Sequence, residues 1–369
     1  MDKKRLIALV AVVTTMFAGF GNTAESQTII KGDVKVGMVT DSNNIDDKSF
    51  NQGTWEGIER AAKDFNLDSK YLKSLSETED EYTKAIDRLV DLGFNFIVTP
   101  GFAFQTTIFK AQEKYKDIKF VLLDGSPVEG GIAGEKVKVG DNTVSILFAE
   151  HEAGFIAGVA TALKMKDGNV GFIGGMETPP VERFNWGFQQ GIKYANSNLG
   201  TNIELKSENI IYQGSFTNVA EGQQLAAEMY DRGVKAIFCA AGNLCNGAIN
   251  EAKERASLGK EAWIVGADKD QYDSGIYKGK QSVVITSAIK NLDSVTYNMI
   301  KDATEEKFQG GKILIYDVKN DGVGIAKKNP NLTEDIMKKV DEIYGKIKSG
   351  DIKVSAEKGD LIKESIFNY

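Results

Sequence analysis

The alternation of short β-branched runs with helix-length amphipathic segments constrains this chain most, because it occurs twice. From Val34 to about Asp124 the order is strand, helix, strand, helix, strand, helix, strand. From Asn169 to Asp268 the same order returns. Strand-like runs stand at 34–39, 94–100, 119–124, 169–175, 203–212, 235–241, 262–268 and 282–289. Helical periodicity fills 48–65, 79–92, 104–115, 149–165, 182–198, 217–231, 246–256 and 291–306. Such alternation, joined by short glycine-containing turns, calls for parallel sheets covered on both faces. Each half has the size of one doubly wound domain. The stretch after Asp268 is too short for a third and should return strands to both.

In open parallel sheets, ligands bind beyond the carboxyl ends of the strands. The residues found there are Asp41, followed by Phe50 and Asn51; Asp124; Gly174 and Gly175; Phe216 in QGSF; Gly242; Asp268; and Lys290. Ionised carboxylates accept hydrogen bonds from hydroxyl or amine donors, phenylalanine rings offer flat faces for stacking, and glycine lets backbone approach closely. Lys290 can donate to an oxygen and offset the acidic field. A neutral, flat, hydroxylated molecule suits this set, and a nucleoside suits it best. A phosphate would be repelled by three carboxylates and would find no GK[ST] loop. Arginine occurs only at 5, 60, 88, 183, 232 and 255, so bidentate clamps for phosphate or an amino-acid carboxylate are scarce.

The loop DSNNIDDKSFNQG (41–53) invites a calcium reading, which fails. The fifth and twelfth positions hold Ile45 and Gln52, and Asp46 stands where an EF-hand needs glycine. Asp46 and Asp47 read instead as caps of the following helix. His151, the one histidine, sits at a helix start and reads as a surface or capping residue, so no zinc site is expected. Cys239 and Cys245 read as buried free thiols, because spacing alone does not establish bridging geometry. The net charge of −7 argues against nucleic-acid or anionic-membrane partners. At the N-terminus, Lys3, Lys4 and Arg5 precede an apolar stretch and small residues, the pattern of a secretory signal peptide over 1–24. Phe20 stands where a lipidated cysteine would belong.

In order, DSNNIDDKSFNQGTWEGI, FVLLDGSP, EHEAGFIAGVA, VGFIGGMETPPVERFNWGFQQGI, YQGSFTN, AAGNLCNGAI, VGADKDQ and SAIKNLD resemble the blocks of the basic membrane protein family. These are substrate-binding proteins of ATP-binding-cassette importers and include purine nucleoside receptors. The resemblance spans about 34–350 and implies a type I periplasmic-binding fold, with two doubly wound lobes joined by three hinge strands around a ligand cleft. On that pattern the N-terminal lobe takes 34–146 plus 269–312, and the C-terminal lobe takes 147–268 plus 313–369. The resemblance implies that Phe50 and Phe216 sandwich a base and that Asp41 and Asn51 meet its edge. It assigns Asp124, Asp268 and Lys290 to the ribose, with Gly242 as a backbone contact. It implies an exported, monomeric, non-enzymatic binder without cofactor or metal, delivering a nucleoside to permease and ATPase subunits at the periplasm or cell surface. Two departures stand out: Phe20 in place of the lipobox cysteine, and NLCNG after Gly242 where the family carries small residues. The rival readings are a calcium-dependent nucleoside hydrolase and a ligand-sensing receptor of the same fold. The hydrolase pattern DTDPGxDD keeps only Asp41 and Asp47, with Asn43 and Lys48 in place of its other acids.

Overall fold

The structure is a computed structural model that describes residues 34–41, 43–130 and 136–362. The expected signal peptide and Phe20 lie outside the described residues. The alternation begins with β1 (Val36–Thr40), α1 (Phe50–Phe65), β2 (Ser69–Lys73), α2 (Glu79–Asp91), β3 (Phe96–Pro100), α3 (Gln105–Lys114) and β4 (Lys119–Leu123). A hairpin, β5 (Val128–Glu129) and β6 (Lys136–Val137), precedes β7 (Thr143–Phe148) and α4 (Glu150–Met165). Next come β8 (Asp167–Gly174), α5 (Pro179–Asn198), β9 (Asn202–Tyr212), α6 (Val219–Asp231), β10 (Val234–Ala240), α7 (Cys245–Ser257) and β11 (Trp263–Asp268). After the hairpin β12 (Ile276–Lys278) and β13 (Gln281–Ser282) follow β14 (Val284–Lys290), α8 (Leu292–Thr304), β15 (Lys312–Tyr316), β16 (Val323–Ile325) and α9 (Glu334–Ser349).

Two six-stranded sheets result, ordered β15-β7-β4-β3-β1-β2 and β16-β14-β11-β10-β8-β9. All pairs are parallel except β14 with β16. Strands β1 and β3 are buried along their whole length, as continuous apolar runs covered on both faces require. In each sheet the winding reverses direction, between β1 and β3 in one and between β8 and β10 in the other, and those switch points open the clefts where ligands sit. The chain passes between the sheets three times, after β7, after β14 and between β15 and β16. This is the two-lobed, three-crossover α/β architecture that the alternation and the resemblance implied.

The sheet pairing corrects the expected lobe boundaries. Residues 269–312 were assigned to the N-terminal lobe, yet β14 hydrogen-bonds to β11 in the second sheet. Only α8 crosses back, to pack on α1, where Gly57 lets the Asp293 carbonyl approach to 2.4 Å of a would-be Cβ. Strand β15, assigned to the C-terminal lobe, extends the first sheet beside β7. Strand β15 is largely exposed and β16 has only three residues, so alternation alone did not resolve them. The expected free thiols are also corrected: Cys239 and Cys245 form a disulfide. The tight turn Gly242–Leu244 folds the end of β10 back onto the first residue of α7 and brings the two Cα atoms to 5.7 Å, within bridging range.

Helices α4 and α5 meet through four glycines. A Cβ at Gly154 or Gly158 would fall 2.4–2.5 Å from the carbonyl oxygens of Phe184 and Phe188. At Gly187 or Gly191 it would fall 2.0–2.1 Å from those of His151 and Phe155. Glycine at i and i+4 on both helices clears a face on each, so the backbones touch. Substituting Gly187→Ala is therefore expected to cost about 1–3 kcal/mol by overpacking. Gly345→Ala, in α9 with nothing within 4 Å of the added methyl, should stabilise by about 1 kcal/mol. Urea unfolding of the two variants checks both signs.

Candidate functional site

The strand ends of the two lobes enclose one cavity of about 750 Å³, including space open to solvent. All eight residues singled out from the sequence line it: Asp41, Phe50, Asn51, Asp124, Phe216, Gly242, Asp268 and Lys290. Asp124 and Asp268, at the ends of β4 and β11, both adopt left-handed backbone, with φ of 59° and 66°. Aspartate tolerates that conformation better than most non-glycine residues, and here it recurs at the equivalent point of each lobe. Gly174, which ends β8, and Gly175 are not among the residues that line the cavity, although Gly175 abuts Phe216, which does. Gly175 has no room for a side chain, because the Phe216 ring lies 2.3 Å from where its Cβ would be.

At the floor, the Lys290 ammonium is buried among three carboxylates. Its Nζ lies 2.5 Å from Asp124, 3.3 Å from Glu150 and 3.6 Å from Asp268. Glu150, the first residue of α4 and wholly buried, also holds the Arg183 guanidinium from α5 at 2.7 Å. The glycine interlock of α4 with α5 makes that pairing possible. Burial works against the Lys290 charge, but the three carboxylates outweigh it and hold the ammonium above its ordinary pKa. Phe50 and Phe184 lie with their ring centres 4.9 and 5.0 Å from the same ammonium, adding cation–π attraction.

The N-terminal wall is an amide–carboxylate group. Asn51 Nδ2 and the Asn43 backbone N–H both donate to Asp41 Oδ1, at 3.0 and 2.8 Å. Asp47 accepts from the backbone N–H groups of Ser49, Asn51 and Gln52 and so caps α1, while Asp46 stays exposed and takes no part in the cap. Five buried polar atoms on cavity-lining residues have no partner among the described residues: Asn43 Oδ1, Asn51 Oδ1, the Tyr82 hydroxyl, Asp124 Oδ1 and Thr178 Oγ1. Buried polar atoms are normally paired, so a polar molecule in this cavity would find both donors and acceptors waiting. Among the described residues no cluster of His, Cys, Asp and Glu is arranged to hold a metal ion.

The lobes also touch across the cleft mouth. Ser49 Oγ donates to Asp268 Oδ2 at 2.6 Å, Gln271 Nε2 to the Lys48 carbonyl at 3.0 Å and Asn246 Nδ2 to the Asp47 carbonyl at 3.3 Å, while Lys269 pairs with Glu56. The conformation is closed. Sequence reasoning missed Glu150, Arg183, Phe102, Phe184 and Tyr82, which lie on helices or on the turn after β3 rather than at the strand ends surveyed.

The deciding comparison is with a family model described as ABC transporter substrate-binding protein PnrA-like, which matches residues 34–358. The chain belongs to this Bmp family. It is 32% identical over 333 residues to a CD4+ T-cell-stimulating antigen of Listeria monocytogenes, covering 87% of this chain and 88% of that protein. It is also 32% identical over 362 residues to the ABC transporter nucleoside-binding protein BmpA of Lactococcus lactis, covering 94% and 98%. Among solved structures, an ABC transporter solute-binding protein from Aeropyrum pernix superposes with a TM-score of 0.74 at 24% identity, over 89% of this chain and 94% of that one, a likeness of fold. The Bmp protein described here is thus an ABC transporter substrate-binding protein, whose partners are a small-molecule ligand and the permease and ATPase subunits. Its homologues are extracytoplasmic binding proteins, not enzymes. Among the described residues no helix is long and apolar enough to cross a membrane.

One consequence of the floor is a pH dependence. Burial, opposed by Lys290 and reinforced by Glu150 and Asp268, pushes the Asp124 carboxyl up to about 7. Between about pH 4 and 7 the folded chain then keeps a proton on Asp124 that the unfolded chain has released, leaving Glu150 and Asp268 to balance Lys290 there, and stability falls as pH rises through that window. Asp124→Asn, which is neutral throughout, should shrink the slope of unfolding free energy against pH. An unchanged slope in denaturant melts would reject the assignment.

Proposed function

We propose that the cavity binds a neutral nucleoside, a purine nucleoside above all, and that closure of the lobes over it presents the loaded form to the permease. The carrying observation is the pairing of Phe50 from one lobe with Phe216 from the other on a cavity whose remaining walls are acidic and hydrogen-bonding. The two rings clamp a flat base, each contact worth about 1–3 kcal/mol. Asp41 and Asn51 meet the base edge, where a carboxylate accepts from amino or imino donors and an amide can do either. Asp124 and Asp268 accept from ribose hydroxyls, Lys290 donates to a ribose oxygen, and the backbone at Gly242 closes the wall. Against Asp41, Asp47, Glu77, Asp124 and Asp268, Lys290 is the one cation among the described residues that line the cavity, so a phosphate group would face net repulsion. The name of the Lactococcus lactis relative, a nucleoside-binding protein, agrees with this reading.

On this reading the protein works outside the cytoplasm as a monomeric carrier. Its two states are related by bending at the three crossovers, as in other two-lobed binders. Calorimetry against a panel of nucleosides, nucleotides, sugars and amino acids tests it. Nucleosides should bind and nucleotides should not; binding of none of the nucleosides at micromolar protein overturns the reading. Asp124→Ala and Asp268→Ala should each weaken nucleoside binding by about 2–3 kcal/mol, the scale of a charge-assisted hydrogen bond, and Asp124→Ala should also lower the melting temperature, because it removes the nearest counter-ion of the buried Lys290. Incubation with inosine should leave the glycosidic bond intact; release of free base would point to a hydrolase instead.

A further inference from the structure

Two turns of the same form stand at equivalent places in the two lobes. Strand β3 leads through the turn Phe102–Phe104 into α3, and β10 leads through Gly242–Leu244 into α7. Noncovalent contacts hold the first. Phe104 is fully buried with its ring 4.2 Å from that of Tyr82, and Gln105 Oε1 accepts from the Ser126 backbone. The second has glycine and asparagine where the first has phenylalanine and alanine, so it has less side chain to pack. There the Cys239–Cys245 disulfide spans the turn instead, and the Ala241 N–H points at Cys245 Sγ from 3.2 Å.

Three elements of the ligand cleft hang on this bridged turn. The Leu244 N–H donates to the Phe216 carbonyl at 3.0 Å, which ties down the segment carrying one wall of the clamp. Gly242, at a φ of 54°, lines the cavity beside Phe216. Asn246, one residue past the bridge, reaches across the cleft to the Asp47 carbonyl. The strand and helix on either side are secured independently, β10 between β8 and β11 and α7 against α6, where a Cβ at Gly247 would fall 1.9 Å from the Val219 carbonyl. Leu244 is fully buried against Gly222 of α6, so breaking the bridge loosens the turn around that anchor without dismantling the lobe.

We propose that the Cys239–Cys245 disulfide is a positioning element of the ligand site: it pre-organises Phe216, Gly242 and Asn246, and its reduction weakens ligand binding while the lobe stays folded. A dithiol reductant supplies the two electrons and two protons. The S–S bond breaks, two S–H groups form, and the dithiol closes to its own disulfide. The proposal rests on the reading of the cavity as the ligand site, and pre-organisation acts chiefly on the dissociation rate.

The test uses the full chain, untreated, reduced with dithiothreitol, and as the double variant Cys239→Ala/Cys245→Ala. Thiol titration in denaturant should find no free thiol in untreated protein and two after reduction; two in untreated protein overturns the proposal. With guanosine as probe, reduced and variant proteins should bind about tenfold more weakly through faster dissociation, with unchanged far-ultraviolet circular dichroism. Equal affinity in all three forms overturns it. In ligand-free protein, amide hydrogen exchange should rise at 216 and 241–246 on reduction while β10 and the body of α7 keep their protection. Unchanged exchange at the turn overturns it as well. If untreated protein takes no nucleoside, the ligand reading fails, and the exchange measurement still decides the role of the bridge.

Discussion

The closed molecule turns on one buried ammonium. Lys290 ends β14 at a crossover, 4% exposed, and is shared by carboxylates at the end of β4, the start of α4 and the end of β11. A buried charge costs several kcal/mol in lost hydration and is tolerated only when paired and hydrogen-bonded. Here the pairing crosses from one lobe to the other, because Asp124 follows β4 of the first sheet, whereas Asp268 and Lys290 end strands of the second and Glu150 opens α4, which packs on β14. The ion group at the floor is thus also a joint. Opening the cleft would part Asp124 from Lys290 and leave Glu150 and Asp268 as its counter-ions, so Lys290 is neutralised in either state.

The helices fit this requirement. Glu150 is shared between two cations, its Oε1 facing Lys290 and its Oε2 accepting from Arg183. Arg183 reaches Glu150 because α4 and α5 lie with backbones in contact, which the four glycines allow. Packing in the C-terminal lobe and charge at the cleft floor are therefore one construction. Replacing a glycine in the interlock should move Arg183 and so disturb the site from a distance.

Much of this was legible in the sequence, for a definable reason. Alternation fixes a parallel sheet, and a parallel sheet fixes where its carboxyl ends point, so residues just past the strands fall on the same cavity wall whatever the details of packing. That logic placed Asp41, Phe50, Asn51, Asp124, Phe216, Gly242, Asp268 and Lys290 together. It could not place Glu150, Arg183 or Phe184, whose positions depend on how two helices cross. The glycine pairs at 154/158 and 187/191 were the available signal for that crossing. Lobe membership after Asp268 failed because β14 and β15 exchange lobes across a helix, and strand pairing at that distance leaves no local trace. The disulfide was missed because a six-residue separation reads equally as a turn with two thiols or a turn with a bridge.

The balance of closure follows from the contacts at the cleft mouth. They are few and polar. The Lys269–Glu56 pair is partly exposed and so worth little, the Gln271 and Asn246 bonds to backbone carbonyls net about 1 kcal/mol each, and the buried Ser49–Asp268 bond to a carboxylate about 1.5–3 kcal/mol. Against them, closing over an empty cavity withdraws five polar atoms from water with no protein partner to replace it, at about 1–3 kcal/mol each where no trapped water serves. The empty cavity thus opposes closure, while the mouth contacts and the Asp124–Lys290 pair between the lobes favour it. A ligand that satisfies those atoms and fills the space between Phe50 and Phe216 would tip the balance further, because it would bind the closed form far better than the open one. Closure then reports ligand, as a carrier must do if its permease is to accept only the loaded form.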